Sequence, residues 1–499
     1  MMVNSSNVPV VSGSMVSGRV DSGVVWMGAL ILGIALGTGF VVAAQSLGPL
    51  KALIAVVGIA VVGIILVKPE IGFVLMVASI PLERLGRLSS GDSVVNLSVA
   101  KILGIVTLVG WFFRVCLLKE RIRFPREIWP LLLFIMLGAS SLSYTTDVEA
   151  TERSLLQFIT TVFFVFITVN LVRTRVVLTT SIVALLLVTM GVGLGAVGMR
   201  VVPGFQVDHD DMDSVGVLED DAEDRRVGTV QSSQGLTVHP GFYAFSLLIA
   251  IPLYFYAFQT AQKTAWRLCW ASAGVLAFVN LLLTYRRTGI LALAAILGYL
   301  FLRRAITCSP RTLAWFVVPA FCGLFLVPNS LWERMFSVSA YDPNEAHNVE
   351  SRLRMWEGAW MLIQERWTTG VGLGNHSELQ HYNGLHDIIA DAGAHNGYIQ
   401  MLVELGIGGL LVFGFVMLVL WRGLSKAEAR WSTAADPALS KLPVFLKASF
   451  LAFPLTALTG IEFIMPMRDW WYVCGLGIVL TSLTSRHTAD ESKGHAGER

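Results

Sequence analysis

Charge is what this sequence has least of. Only 14% of its 499 residues are Asp, Glu, Lys or Arg, against about 25% in soluble domains. A water-facing surface of the usual kind cannot be built from that supply. The formal net charge is +2, so no basic excess points to nucleic acid. Cysteine is nearly as scarce. The five residues, Cys116, Cys269, Cys308, Cys322 and Cys474, are scattered and odd in number. They exclude a disulfide framework and match no zinc-ligand spacing. HExxH is absent, which removes the commonest helical zinc-protease signature. Internal repeats and a separate polar domain are missing too.

What is present is apolar. Hydrophobic residues make up 54% of the chain and the mean hydropathy is +0.65. Fourteen apolar runs recur from Val24–Ala44 to Trp470–Leu483. A bilayer core of about 30 Å takes about 20 helical residues. The first run is long enough to span, so it reads as a retained membrane helix rather than a cleaved signal. Backbone at membrane depth must satisfy its own hydrogen bonds, which selects helices. The expected fold is therefore all-α, a polytopic transmembrane helical bundle of about 12–14 spans with a long extracytoplasmic loop containing short helices. The third run, Ile71–Leu82, is short and is a candidate re-entrant piece.

Lys and Arg cluster in short loops: "LKERIRFPRE" (118–127), "VRTRV" (172–176), "QKTAWR" (262–267), "RRAITCSPR" (303–311) and "WRGLSKAEAR" (421–430). With fourteen spans all five fall on one side, the cytoplasm. The expected organisation is a cytoplasmic tail (1–23), N-terminal membrane helices (24–199), an extracytoplasmic acidic loop (200–239), central membrane helices (240–328), a long extracytoplasmic loop (329–395), C-terminal membrane helices (396–485) and a cytoplasmic tail (486–499).

Three clusters on the outer face carry chemistry. "DAGAHNGYIQMLVELGIGG" (391–409) sets His395 and Asn396 at the start of a membrane helix. A helix start offers free N–H groups and a positive dipole end, both suited to phosphate. A neutral imidazole there can accept a proton from a hydroxyl; the plainer reading is that His395 caps the helix. "LLLTYRRTGILAL" places Arg286 and Arg287 between two membrane helices, against the positive-inside trend. Guanidinium binds phosphate oxygens bidentately; the plainer reading is interfacial snorkelling. "RRVGTVQSSQGLTVHPGFYAF" opens on Arg225 and Arg226 just before another membrane helix. In "ESRLRMWEGAWMLIQERW" (350–367), Ser351 is an expected N-cap. Trp356, Trp360, Ile363 and Trp367 form a stripe, and Arg352 is one turn before Trp356. "GVGLGN" (370–375) lets backbone approach a ligand or another helix. Several cations and one imidazole on an outer membrane face suit a lipid-linked diphosphate.

Together "RVGTVQSSQG…HPGFYAF", "LTYRRTGILAL", "SRLRMWEGAW…TTGVGLGN" and "AHNGYIQMLVELGIGGLL" resemble the O-antigen ligase and O-antigen polymerase-like family, over roughly 225–421. The resemblance implies a membrane glycosyltransferase in the bacterial cytoplasmic (inner) membrane, with its site on the periplasmic face. It implies an undecaprenyl-diphosphate-linked glycan as donor. The acceptor would be a glycan (polymerase) or the lipid A-core (ligase), with polysaccharide-export or chain-length proteins as further candidate partners. No cofactor, metal or nucleic acid is implied. Carried over by position, His395 is the acceptor-activating base. Arg287 (or Arg286) and Arg226 (or Arg225) hold the diphosphate, with Arg352 and Asn396 as further substrate-binding candidates. "YRRTG" departs from the family's serine before the arginine, and the acidic stretch Asp208–Asp224 looks like an addition.

Rival readings are weaker. A transporter or flippase of lipid-linked glycans would more often show matched, Gly/Pro-broken halves, and none are visible. His376, His381 and His386 are spaced by five, which turns successive rings by about 140° on a helix. They share no metal-binding face. The acidic stretch fails the EF-hand order, since Val215 and Ala222 occupy ligand positions counted from Asp211.

Overall fold

The computed structural model describes residues 49–82, 99–201, 226–227, 230–231, 240–306, 343–376, 395–434, 436–458 and 467–482. The acidic stretch and the runs Val24–Ala44 and Leu313–Pro328 lie outside these residues. Two compact units divide the chain between Val67 and Lys68. The first contributes one described helix, α1 (Pro49–Val67), which exposes Val57, Ile59 and Val67.

The second unit is a helical bundle. Its helices are α2 (Pro69–Ala78), α3 (Val99–Leu118), α4 (Trp129–Ser140), α5 (Val148–Leu171), α6 (Arg175–Val201), α7 (Pro240–Thr260), α8 (Thr264–Leu283), α9 (Arg287–Leu302), α10 (Pro343–Arg366), α11 (Gly397–Trp431), α12 (Pro437–Phe450), α13 (Ala452–Thr456) and α14 (Arg468–Ser482). A two-residue antiparallel pair, Arg226–Val227 with Val230–Gln231, precedes α7. Among the described residues seven helices are long and apolar enough to cross a membrane. They are α3, α5, α6, α7, α8, α11 and the run through α12 and α13. The all-α polytopic fold expected from hydropathy is the fold observed.

Local sequence explains where helices begin. The Asp147 carboxylate accepts from Ala150 N at 3.1 Å to start α5. Asp436 does the same for Ala438 N at 3.0 Å, with Pro437 opening α12. Such caps satisfy donors that the first turn leaves unpaired. Ile128–Tyr144 yields the 12 residues of α4, flanked by single 3-10 turns. Those turns adjoin it directly, so 126–143 is helical throughout. Ser351 is not an N-cap. Helix α10 already begins at Pro343, a residue pre-set for the first helical position, so Ser351 lies inside it.

Helix α7 is the hub. Its most apolar window is 72% buried, against 17% for α3 at the rim, and it packs on α6, α8, α9 and α12. Helix α14 locks the other side with Trp470, Trp471 and Tyr472, all buried. The Trp470 indole donates to Phe450 O at 2.9 Å, and the Tyr472 hydroxyl bonds Ser181 Oγ at 2.7 Å.

The basic loops gather at one end. Arg173 donates to Arg121 O at 3.0 Å and pairs with Glu120 at 3.1 Å. Arg114 bridges Glu70 and Glu120. Arg303 pairs with Glu428, which also takes Lys447 Nζ at 2.9 Å, and that ammonium lies 4.4 Å over the Trp421 ring. Arg267 and Arg304 line one cavity at the same end.

Away from that end, α11 is broken. Gly406 has φ 63° and ψ −163° inside the helix, a region essentially reserved for glycine. The first nine residues fold back along the body, so the Tyr398 and Phe413 rings meet at 5.8 Å. The break frees carbonyls of Val403 and Glu404. They accept from Val371 N at 3.0 Å and Gly372 N at 2.9 Å, and Ile407 N donates to Trp367 O at 2.8 Å. Irregular backbone at membrane depth is tolerated only when protein satisfies it in this way. A Cβ on Gly406 would collide with the Thr368 carbonyl. Replacing Gly406 with Ala is therefore expected to destabilise by about 1–3 kcal/mol. Thermal unfolding of the purified protein in detergent checks this, and an unchanged midpoint contradicts it.

Candidate functional site

The start of α11 is built by Asn396. Its Oδ1 accepts from Tyr398 N at 3.0 Å and Ile399 N at 3.2 Å, and its Nδ2 donates to Leu458 O at 3.2 Å. Gly397 N donates to Ala457 O at 2.8 Å and Gln400 N to Asn396 O at 2.9 Å. The N–H groups of Gly397, Tyr398 and Ile399, which a helix start leaves unpaired, are thus taken inside the protein. The helix offers an anion its dipole but not the free donors expected from sequence. His395 is not the cap. It stands one residue ahead, exposed, in the left-handed region at φ 46°, which histidine enters more readily than most residues.

A chain of rings ties this helix start to others. Tyr398 meets Phe413 at 5.8 Å, Phe413 meets Phe453 of α13 at 6.1 Å, and Phe453 meets Phe245 of α7 at 6.4 Å. Next to Phe245, Ala244 lies 3.6 Å from where a Cβ on Gly289 of α9 would be. The starts of α7, α9 and α11 therefore occupy one layer. Helical rise agrees. Sixteen residues separate Arg303 from Arg287, and fifteen separate Glu428 from Phe413. At about 1.5 Å each, both distances are roughly 22–24 Å above the shared ion pair.

Arg287 opens α9 and Arg286 precedes it; both are half-buried. Tyr285 makes the turn at φ 55°. Arg226 begins the small hairpin, paired with Gln231, ahead of α7. Arg225 lies outside the described residues. Arg352 is on α10, within the first half of that helix. So Arg287, Arg286 and His395 share a layer. Arg226 belongs to the segment leading into it, and Arg352 comes from a separate helix.

One face of α10 covers the folded-back segment, where Ala359 and Leu362 pack with Val371 and Val403. Trp356, Trp360 and Trp367 are exposed, while Ile363, the fourth member of the stripe, packs toward the buried cluster.

The sequence reading missed Glu404. It is fully buried on the folded-back segment. Gly374 N donates to its Oε2 at 2.8 Å, Gln400 Nε2 to its Oε1 at 2.9 Å, and His376 Nδ1 is 3.5 Å from Oε1. The signal was present: Glu404 is the only charged residue between Gly397 and Trp421, and an intramembrane carboxylate is functional by default. Asn375 was also undervalued. Buried, it donates to Thr145 Oγ1 at 2.7 Å and Thr151 Oγ1 at 2.8 Å and accepts from Asp147 N at 2.9 Å. It pins "GVGLGN" to the α4–α5 turn. Gly370 serves close approach to α11, since a Cβ on it would strike the Glu404 carbonyl, while Cβ atoms on Gly372 and Gly374 would strike Thr145 and Ser154. Among the described residues no three His, Cys, Asp or Glu side chains gather so as to hold a metal ion.

Fold and junction together define a polytopic helical membrane protein with a polar layer held inside it. Residues 272–414 match the family model described as O-antigen ligase. The match runs from α8 to the middle of α11, taking in Arg286, Arg287, Arg352, His395, Asn396 and Glu404. No curated protein matches the chain. That match points to a ligase- or polymerase-type membrane function by glycosyl transfer.

Glu404→Gln replaces one acceptor oxygen with an amide that meets the donors of Gly374 or Gln400. It is expected to cost about 1–3 kcal/mol, read as a lower unfolding midpoint. Asn396→Ala strands two N–H groups and is expected to cost about 0.5–2 kcal/mol. Midpoints equal to wild type would dismiss either role.

Proposed function

We propose that this protein is an inverting glycosyltransferase of the bacterial inner membrane. It moves a glycan from an undecaprenyl-diphosphate carrier to an acceptor hydroxyl, on a glycan or the lipid A-core, at the periplasmic face. The observation that carries the reading is the layer shared by the starts of α9 and α11. It sets two guanidiniums and one exposed imidazole at the end of the bundle opposite the basic loops. By the positive-inside rule that end is periplasmic.

Arg287 and Arg226, with Arg286, Arg225 and Arg352 as neighbours in charge, hold the donor diphosphate. Guanidinium matches phosphate oxygens bidentately. His395 takes the proton from the acceptor hydroxyl, and the oxygen attacks the anomeric carbon. The bond from that carbon to the carrier oxygen breaks, and its electron pair leaves on the diphosphate. There the arginines stabilise the growing negative charge. A single displacement inverts the anomeric centre. Asn396 contributes by fixing the helix start on which His395 stands. Buried Glu404 holds the fold-back in place, with His376 beside it.

His395→Ala is expected to lower transfer by about 10²–10⁴-fold, and Arg287→Ala by about 10²–10³-fold, with unfolding midpoints near wild type. The assay is glycan transfer in reconstituted vesicles supplied with carrier-linked donor, followed on gels. Full transfer by the His395 variant would remove the base assignment. Carrier translocation without a new glycosidic bond would favour transport instead.

A further inference from the structure

At the basic end of the bundle lies a cavity of about 480 Å³, within the range typical of small-ligand sites. Three cations line it from three separate elements: Arg267 in the first turn of α8, Arg304 just after α9, and Lys441 on α12. Among the described residues no carboxylate lines it. The neighbouring Arg303 and Lys447 both engage Glu428, but none of these three forms an ion pair among the described residues. Arg267 commits only its Nε, to Ala261 O at 2.9 Å. Gln259 and the rings of Phe255, Phe258 and Phe445 also line it.

The site is rigid. Arg304 has φ 53°, at a helix end where glycine is the usual residue. Ala305 N donates to Leu300 O at 2.9 Å, and Gln259 Nε2 holds Ala305 O at 2.7 Å. Beside it Trp266, Leu268, Phe301 and Leu302 are exposed, an apolar flank of the kind that acyl chains cover.

We propose that this cavity binds the headgroup of an acidic phospholipid. The phosphate lies among Arg267, Arg304 and Lys441, the glycerol and first methylenes rest on the phenyl rings, and the acyl chains run along the exposed flank. Basic pockets between helix ends suit anionic headgroups, whereas a zwitterionic lipid would bring its ammonium against three cations.

Native mass spectrometry of the full-length protein tests this, with phosphatidylglycerol, phosphatidylcholine, undecaprenyl phosphate and inorganic phosphate offered in turn. Wild type is expected to retain phosphatidylglycerol in preference to phosphatidylcholine. The Arg304→Gln/Lys441→Gln variant is expected to lose that preference by roughly tenfold or more, since each cation near an acidic headgroup supplies about a fivefold bias. Lys426→Gln, an exposed cation outside the cavity, is expected to behave as wild type. If the double variant aggregates, Lys441→Gln alone is expected to lose about fivefold. Equal retention of both phospholipids, or undiminished retention by the variants, overturns the proposal. Displacement by inorganic phosphate would make the site one for soluble anions. Stronger retention of undecaprenyl phosphate than of phosphatidylglycerol would assign it to the carrier.

Discussion

The break in α11 at Gly406 is the constraint from which the rest follows. A helix interrupted inside a membrane leaves carbonyls and N–H groups that lipid cannot satisfy. Here the segment Trp367–Gly374 satisfies them, strand-like on one side and through the Glu404 carboxylate on the other. That segment is held in turn by Asn375, by Tyr144 on Thr369 O at 2.9 Å, and by Ser141 Oγ on Leu373 N at 3.2 Å. Helices α4 and α5, α10 and both halves of α11 thereby become one assembly. The fold-back is what moves His395 from the rim to the level of Arg287.

The opposite end is organised by charge instead of backbone. Glu428 gathers Arg303 and Lys447, while Glu120 gathers Arg114 and Arg173. These pairs are partly buried, so desolvation offsets much of their attraction. Their effect is positional, since they fix the lower ends of α9, α11 and α12 to one another. With those ends fixed, helical rise sets the height of everything above.

Much of this was legible in the residues. Long apolar runs gave the helices, because only a helix closes its own hydrogen bonds at that length. Arg286, Arg287 and His395 stood out because charge and imidazole are rare in so apolar a chain. Three things were not legible. The break at Gly406 sits in "LGIGG", which reads as an ordinary membrane helix, and positive φ leaves no periodic trace. The true start of α11 depended on the Asn396 side chain reaching Tyr398 N and Ile399 N, and α10 begins earlier, at Pro343. The role of "GVGLGN" required knowing its partner, since glycine permits close approach without saying to what. Glu404 was visible as the one carboxylate in its run, but its meaning lay in contacts that only folding brings together.

One consequence of this frame concerns the eighteen residues between His376 and His395. Both flanks are moored: one by Asn375 and Glu404, the other by the carbonyls of Ala457 and Leu458. Both moorings are hydrogen-bonded inside the protein, so the distance from His376 to His395 is set by the bundle that carries them.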